Sequence, residues 1–158
     1  MAYWRLYYHF VWATKERLPL IDTRVEPVLY GYIIGKAYAL ESVIHAIGGI
    51  EDHVHVVAST PPKLSLSNFV KGVKGSSAYH INHTILADEK TFGWQRGYGV
   101  FSLGGKQLAQ AIAYVQNQRE HHRANSLNLY LETIDHDDDG PAAWNHGEAI
   151  AGVEPLKP

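Results

Sequence analysis

The chain contains no cysteine. That excludes a disulfide framework, a thiolate metal site and a cysteine nucleophile, and it fits a reducing cytoplasm, the compartment expected here. Long apolar runs are also missing. None approaches the roughly 20 residues needed to span a bilayer, so no membrane association is expected. The opening "MAYWRLYYHFVWATKER" lacks the layout of a signal peptide. Charge of either sign is scarce, with 19% charged residues and a formal net charge of −2. The net figure hides an asymmetry. Residues 1–123 carry 13 of the 14 lysines and arginines and 9 of the 16 acidic residues, an excess of four positive charges. Residues 124–158 carry one and seven, an excess of six negative charges. A mildly basic body is compatible with binding phosphates, and the acidic end is not expected to lie against them.

What remains is an ordinary globular composition, 46% hydrophobic over 158 residues, enough for one domain with a real core. Residues 3–14, rich in aromatic and β-branched types, read as a first strand. Val25, Val28, Leu29, Tyr32, Ile33 and Ala37 recur at helical spacing, which predicts a helix over 23–40. Residues 42–50 read as a second strand stopped by Gly48–Gly49, and 53–59 as a third, joined as a hairpin. A helix over 65–85 would start at Ser65 or Ser67 as N-cap. Residues 94–104, with three glycines around aromatics, read as a loop leading into a last strand, "GVFSL", and residues 106–123 read as one continuous helix. The order β-α-β-β-α-β followed by a helix is the α+β, ferredoxin-like split-βαβ arrangement, an antiparallel sheet with helices on one face. The C-terminal stretch 124–158, including "DHDDDG" (135–140), reads as a solvated, irregular tail.

The segment "EDHVHVVASTPP" (51–62) raises the chemical question. Strand side chains alternate, so His53 and His55 project to one face, about 6.6 Å apart, and Val54 and Val56 to the other. Two imidazoles can occupy two positions on a divalent ion. For a bare His-x-His, two surface histidines on a solvated sheet face are the better reading. In the 106–123 helix, Tyr114 and Gln118 stand one turn apart. Gln118 could add an amide oxygen to two histidine nitrogens, a set that suits Mg²⁺ or Mn²⁺ better than a closed structural zinc. Tyr114 would hold a phenol beside that ion, although a tyrosine and a glutamine on an amphipathic helix are unremarkable alone.

Together these pieces resemble a known family. His53-Val54-His55 matches the HUH motif, and Tyr114 with Gln118 matches the Tyr-x-x-x-Gln helix of the single-tyrosine HUH transposases. These are the small transposases of the IS 200/605 insertion-sequence group and their REP-associated relatives. "HFVWATKER" (9–17), "SLSNFVKGVKGSSA" (65–78) and "FGWQRGYGVFSL" (92–103) look like the same family, and a transposase domain over 1–123 is implied. The resemblance implies a single-stranded DNA partner, commonly hairpin ends, and a divalent ion on His53, His55 and Gln118. It implies Tyr114 as nucleophile, giving a 5′-phosphotyrosine link and a free 3′-hydroxyl. It also implies a homodimer in which each tyrosine helix completes the partner's site, with "SLGGKQ" (102–107) as hinge. Lys71, Lys74, Arg96, Lys15 and Arg17 are candidate phosphate contacts, and Tyr98 with Trp94 could stack on unpaired bases. His121 and His122 are expected to cap or pack the helix, and Asp52 to cap a loop. Other readings are a non-catalytic nucleic-acid-binding module of the same fold, a domesticated HUH endonuclease, and a metal-dependent hydrolase using water.

Overall fold

The computed structural model describes residues 2–124, together with Glu132 and Ile134. The tail expected over 124–158 therefore lies largely outside the described residues, its 135–140 acidic run included. The elements run β1 (Tyr7–Ala13), α1 (Val25–Ala39), β2 (Val43–Ile50), β3 (His53–Ser59), α2 (Leu66–His83), β4 (Gly99–Leu103), α3 (Leu108–Gln116) and α4 (Gln118–Arg123). Short 3-10 turns stand at Lys15–Arg17 and Gly105–Gln107. The four strands form one antiparallel sheet in the order β2-β3-β1-β4, the split-βαβ topology.

Local chemistry sets the boundaries. Asp22 Oδ1 accepts from the backbone N–H groups of Arg24 and Val25, starting α1. Pro27 then falls in the first turn, where a missing N–H costs nothing. Val25, Leu29, Ile33 and Ala37, one per turn, are the buried stripe of α1. Ser65 caps α2 by accepting from Asn68 N, and Phe69, Val70, Val73, Ser77 and Ile81 form its buried side.

Every residue of β3 is buried, because the strand lies centrally in the sheet and is covered on both faces. On one face Val54, Val56 and Ala58 join Phe10 and Trp12 of β1 against α1 and α2. On the other, Val57 joins Ala46, Ala111 and Val115 beneath α3. Two expectations change. Strand β2 is not stopped at Gly48–Gly49 but runs through both to Ile50. A Cβ on Gly48 would lie 2.2 Å from the carbonyl oxygen of Val115, so the missing side chain is what lets α3 dock on β2. And the helix of 106–123 is not continuous: a 3-10 turn precedes α3, and a break at Asn117 (φ −106°, ψ 24°) separates it from α4. At the junction before it, Gly104 has ordinary extended angles, φ −75° and ψ 160°, so its backbone is one that any residue adopts there.

Candidate functional site

His53 and His55 share the face of β3 that α3 covers, and neither is on a solvated surface: they are 1% and 0% exposed. Gln118, the first residue of α4, is equally buried at 1%. Buried imidazoles need partners, and both rings are held from behind. His53 Nδ1 lies 2.8 Å from Asp52 Oδ1, and His55 Nδ1 lies 2.7 Å from Nε2 of His9, which projects from β1. Asp52 thus orients a histidine through its side chain, while its backbone carbonyl accepts from Thr14 N.

The Nε2 atoms face inward. His53 Nε2 is 3.4 Å from Gln118 Oε1, 3.2 Å from His122 Nε2 and 3.3 Å from Glu132 Oε2. His55 Nε2 is 2.9 Å from the same Glu132 oxygen. Tyr114 stands one residue before the buried Val115, its ring 5.9 Å from that of His55 and 6.1 Å from that of His9. Its hydroxyl donates to Glu132 Oε1 at 2.8 Å. The break at Asn117 does not separate Tyr114 from Gln118, whose Nε2 lies 3.4 Å from the Tyr114 carbonyl.

The electrostatics follow from this crowding. With Nδ1–H directed at Asp52, a neutral His53 presents a bare Nε2 lone pair to two oxygen acceptors and another imidazole nitrogen. A proton or a metal cation at Nε2 would satisfy the whole set at once. Burial opposes a charge on His53, but hydrogen bonds to Asp52 and Glu132 outweigh it and push the ring up to about 9. Burial also opposes charge on Glu132, yet its contacts with His53, His55 and Tyr114 hold it well below the usual carboxylate range. His9 is pushed down to about 3 by burial and by His55, and His55 is lowered chiefly by burial. Among the described residues, His53, His122 and Glu132 bring ligand atoms within 4.8 Å of one another, a group that could hold a metal ion.

Three of these residues were not anticipated. Glu132 belongs to the stretch read as a tail without a role, and nothing in its local sequence marks it. His9 sits in a strand dominated by aromatics, where only its register with Val57 places it beside His55. His122, expected to cap or pack, reaches into the cluster, while His121 does pack, its ring stacked 4.6 Å from that of Tyr114.

The basic and aromatic candidates gather elsewhere. Lys71, Lys74, Trp94, Arg96 and Tyr98 line a cavity of about 630 Å³ between α2 and the 94–98 loop, on the sheet face opposite the histidines. Lys74 Nζ donates to the carbonyls of Gln95 and Gly97, and so braces the loop. Trp94 donates to Ser77 Oγ and packs edge-on against Trp12. Lys15 and Arg17 lie on the 3-10 turn after β1, both exposed, with Arg17 Nη1 3.9 Å from Asp52 Oδ2. They flank the histidine end of β3, which pairs with Ala13.

Residues 2–118 match the family described as "Transposase IS200 like". The chain is 31% identical over 124 residues to the transposase for insertion sequence element IS200 of Salmonella typhimurium, covering 74% of this chain and 79% of that protein. It is 27% identical over 123 residues to the ISDra2 transposase TnpA of Deinococcus radiodurans, covering 74% and 86%. A Deinococcus radiodurans crystal structure assigned as a candidate transposase superposes with a TM-score of 0.59 at 25% identity, over 75% of this chain and 95% of that one. A REP-associated tyrosine transposase bound to a REP hairpin shares the fold, with a TM-score of 0.56 at 16% identity over 80% and 76%.

Proposed function

The chain belongs to the IS200-like transposase family, and on that footing we propose that it cleaves and rejoins single-stranded DNA through a covalent phosphotyrosine. The observation that carries the reading is the convergence of the Tyr114 phenol with the buried His53, His55 and Gln118 at one point on the sheet. A divalent ion, Mg²⁺ or Mn²⁺, suits these donors and would supply Lewis-acid polarisation of the scissile phosphate when bound by His53, His55 and Gln118.

The chain's own residues do the rest. Tyr114 oxygen bonds to phosphorus as the bond to the 3′ oxygen breaks; the phenol loses one proton and the leaving 3′ oxygen gains one, giving a 5′-phosphotyrosine and a free 3′-hydroxyl. Attack by another 3′-hydroxyl reverses the step and joins new strands, without ATP, because the phosphodiester energy is kept in the tyrosyl link. His9 and Asp52 fix the orientation of the two histidines. Lys71, Lys74, Arg96 and Tyr98 at the α2 cavity, with Lys15 and Arg17 at the histidine end, are the proposed DNA contacts. A hairpin end is the proposed partner, in keeping with the hairpin carried by the REP-associated relative. A homodimer with exchanged tyrosine helices would need α3 to leave its seat over Gly48; the Tyr114–His55 approach within one chain supports a self-contained site instead.

The test is an adduct. Wild-type protein incubated with Mn²⁺ and single-stranded hairpin DNA should give a covalent protein–DNA band on denaturing gels. Tyr114→Phe should lose that band while retaining DNA binding. Cleavage by the phenylalanine variant would remove Tyr114 from the nucleophile's role.

A further inference from the structure

Glu132 stands 14 residues beyond the last residue that matches the family, yet it contacts both motif histidines and the Tyr114 hydroxyl. Its two oxygens divide the work. Oε1 accepts from the Tyr114 hydroxyl at 2.8 Å, and Oε2 lies 2.9 Å from His55 Nε2 and 3.3 Å from His53 Nε2. We propose that Glu132 is a further ligand of the divalent ion and tethers the Tyr114 phenol beside it. The inference rests on the reading of His53 and His55 as ion ligands.

Two arguments support it. The first is geometric. Ligands at about 2.1 Å from an octahedral ion, set at right angles, are about 3.0 Å apart, and a tetrahedral set is spread to about 3.4 Å. The spacings from Glu132 Oε2 to the two nitrogens, and from His53 Nε2 to Gln118 Oε1 at 3.4 Å, are those of neighbours in one coordination shell. The second is chemical. Two imidazoles and an amide leave the charge of a buried dication uncompensated, and Mg²⁺ and Mn²⁺ favour anionic oxygen. A carboxylate supplies both, and its remaining oxygen is the one that holds the nucleophile. His122, 3.2 Å from His53 Nε2, stands at the edge of the same group.

Isothermal titration of the full chain with MnCl₂, without DNA, separates this from occlusion. Glu132→Gln keeps the shape and loses the charge, and should weaken Mn²⁺ binding by about tenfold or more. Glu132→Asp, charged but shorter, should fall between Gln and wild type. Thermal melts in chelator confirm that each variant is folded, and Glu132→Asp carries the test if Glu132→Gln fails to fold. Unchanged affinity in a folded Glu132→Gln variant, with binding still lost in His53→Ala, overturns the role of Glu132 and leaves the histidine site standing. Tighter binding in Glu132→Gln also overturns it and makes the carboxylate a plug. Failure of wild-type protein to bind Mn²⁺ overturns the ion reading as a whole.

Discussion

His9 and His53 sit on the same face of the sheet and are driven in opposite directions by their surroundings. For His53 the folded value of about 9 exceeds the unfolded value near 6.5. Its contribution is therefore complete below pH 6.5 and is lost as pH rises through 9. For His9 the folded value of about 3 lies below the unfolded one. The unfolded chain takes up that proton first, so stability falls as pH drops below 6.5, by about 1.4 kcal/mol per unit from this group alone. Burial lowers His55 as well and adds to the acid-side loss. The metal-free protein should thus be most stable near pH 6.5. Melting temperatures in chelator across pH 4–9 check this, and stability that rises steadily through pH 9 would show that His53 is not paired with carboxylates.

Helix α3 illustrates how an element is placed by a residue it does not contain. Its seat depends on Gly48, where a methyl group would meet the Val115 carbonyl at 2.2 Å, whereas a Cβ on Gly31 in α1 would meet nothing within 4 Å. The two glycines should therefore respond oppositely to alanine. Gly48→Ala forces α3 off the sheet, with a stability loss of about 1–3 kcal/mol and a fall in adduct yield. Gly31→Ala relieves a helix of glycine's backbone entropy and should gain about 0.5–1 kcal/mol. Urea unfolding of both variants reads the signs. A Gly48→Ala protein as stable and active as wild type would mean that α3 docks elsewhere during catalysis.

At the scale of the whole molecule the question is whether one chain makes a complete site. Tyr114, His53, His55, Gln118 and Glu132 meet within a single copy. Mixing Tyr114→Phe protein with His55→Ala protein should consequently leave both inactive. Recovery of adduct on mixing would show that the tyrosine helix serves a partner's histidines, the arrangement that the HUH resemblance implied. The two faces of the sheet differ: the histidines are buried beneath α3, and a lysine-bordered cavity opens beside α2 on the other side. Among the described residues no helix is long and apolar enough to cross a membrane.

Much of this was readable from the chain because it is local. Alternation along β3 set Val54 and Val56 against His53 and His55, helical spacing placed the stripe of α1, and Ser65 announced α2. The HUH and Tyr-x-x-x-Gln patterns named four residues that the fold brings together at the candidate site. Burial was not readable: periodicity says which residues share a face, not whether another layer covers it, and α3 turns what reads as a solvated face into an interior. Pairing across the fold was hidden for the same reason. His9 and Glu132 lie 46 and 77 residues from His55, with no spacing rule connecting them. Sequence thus determined the elements and the candidate reacting groups, through short-range sterics and pattern. Tertiary structure decided which charges face each other, because electrostatic contact depends on distance in space and on exclusion of water.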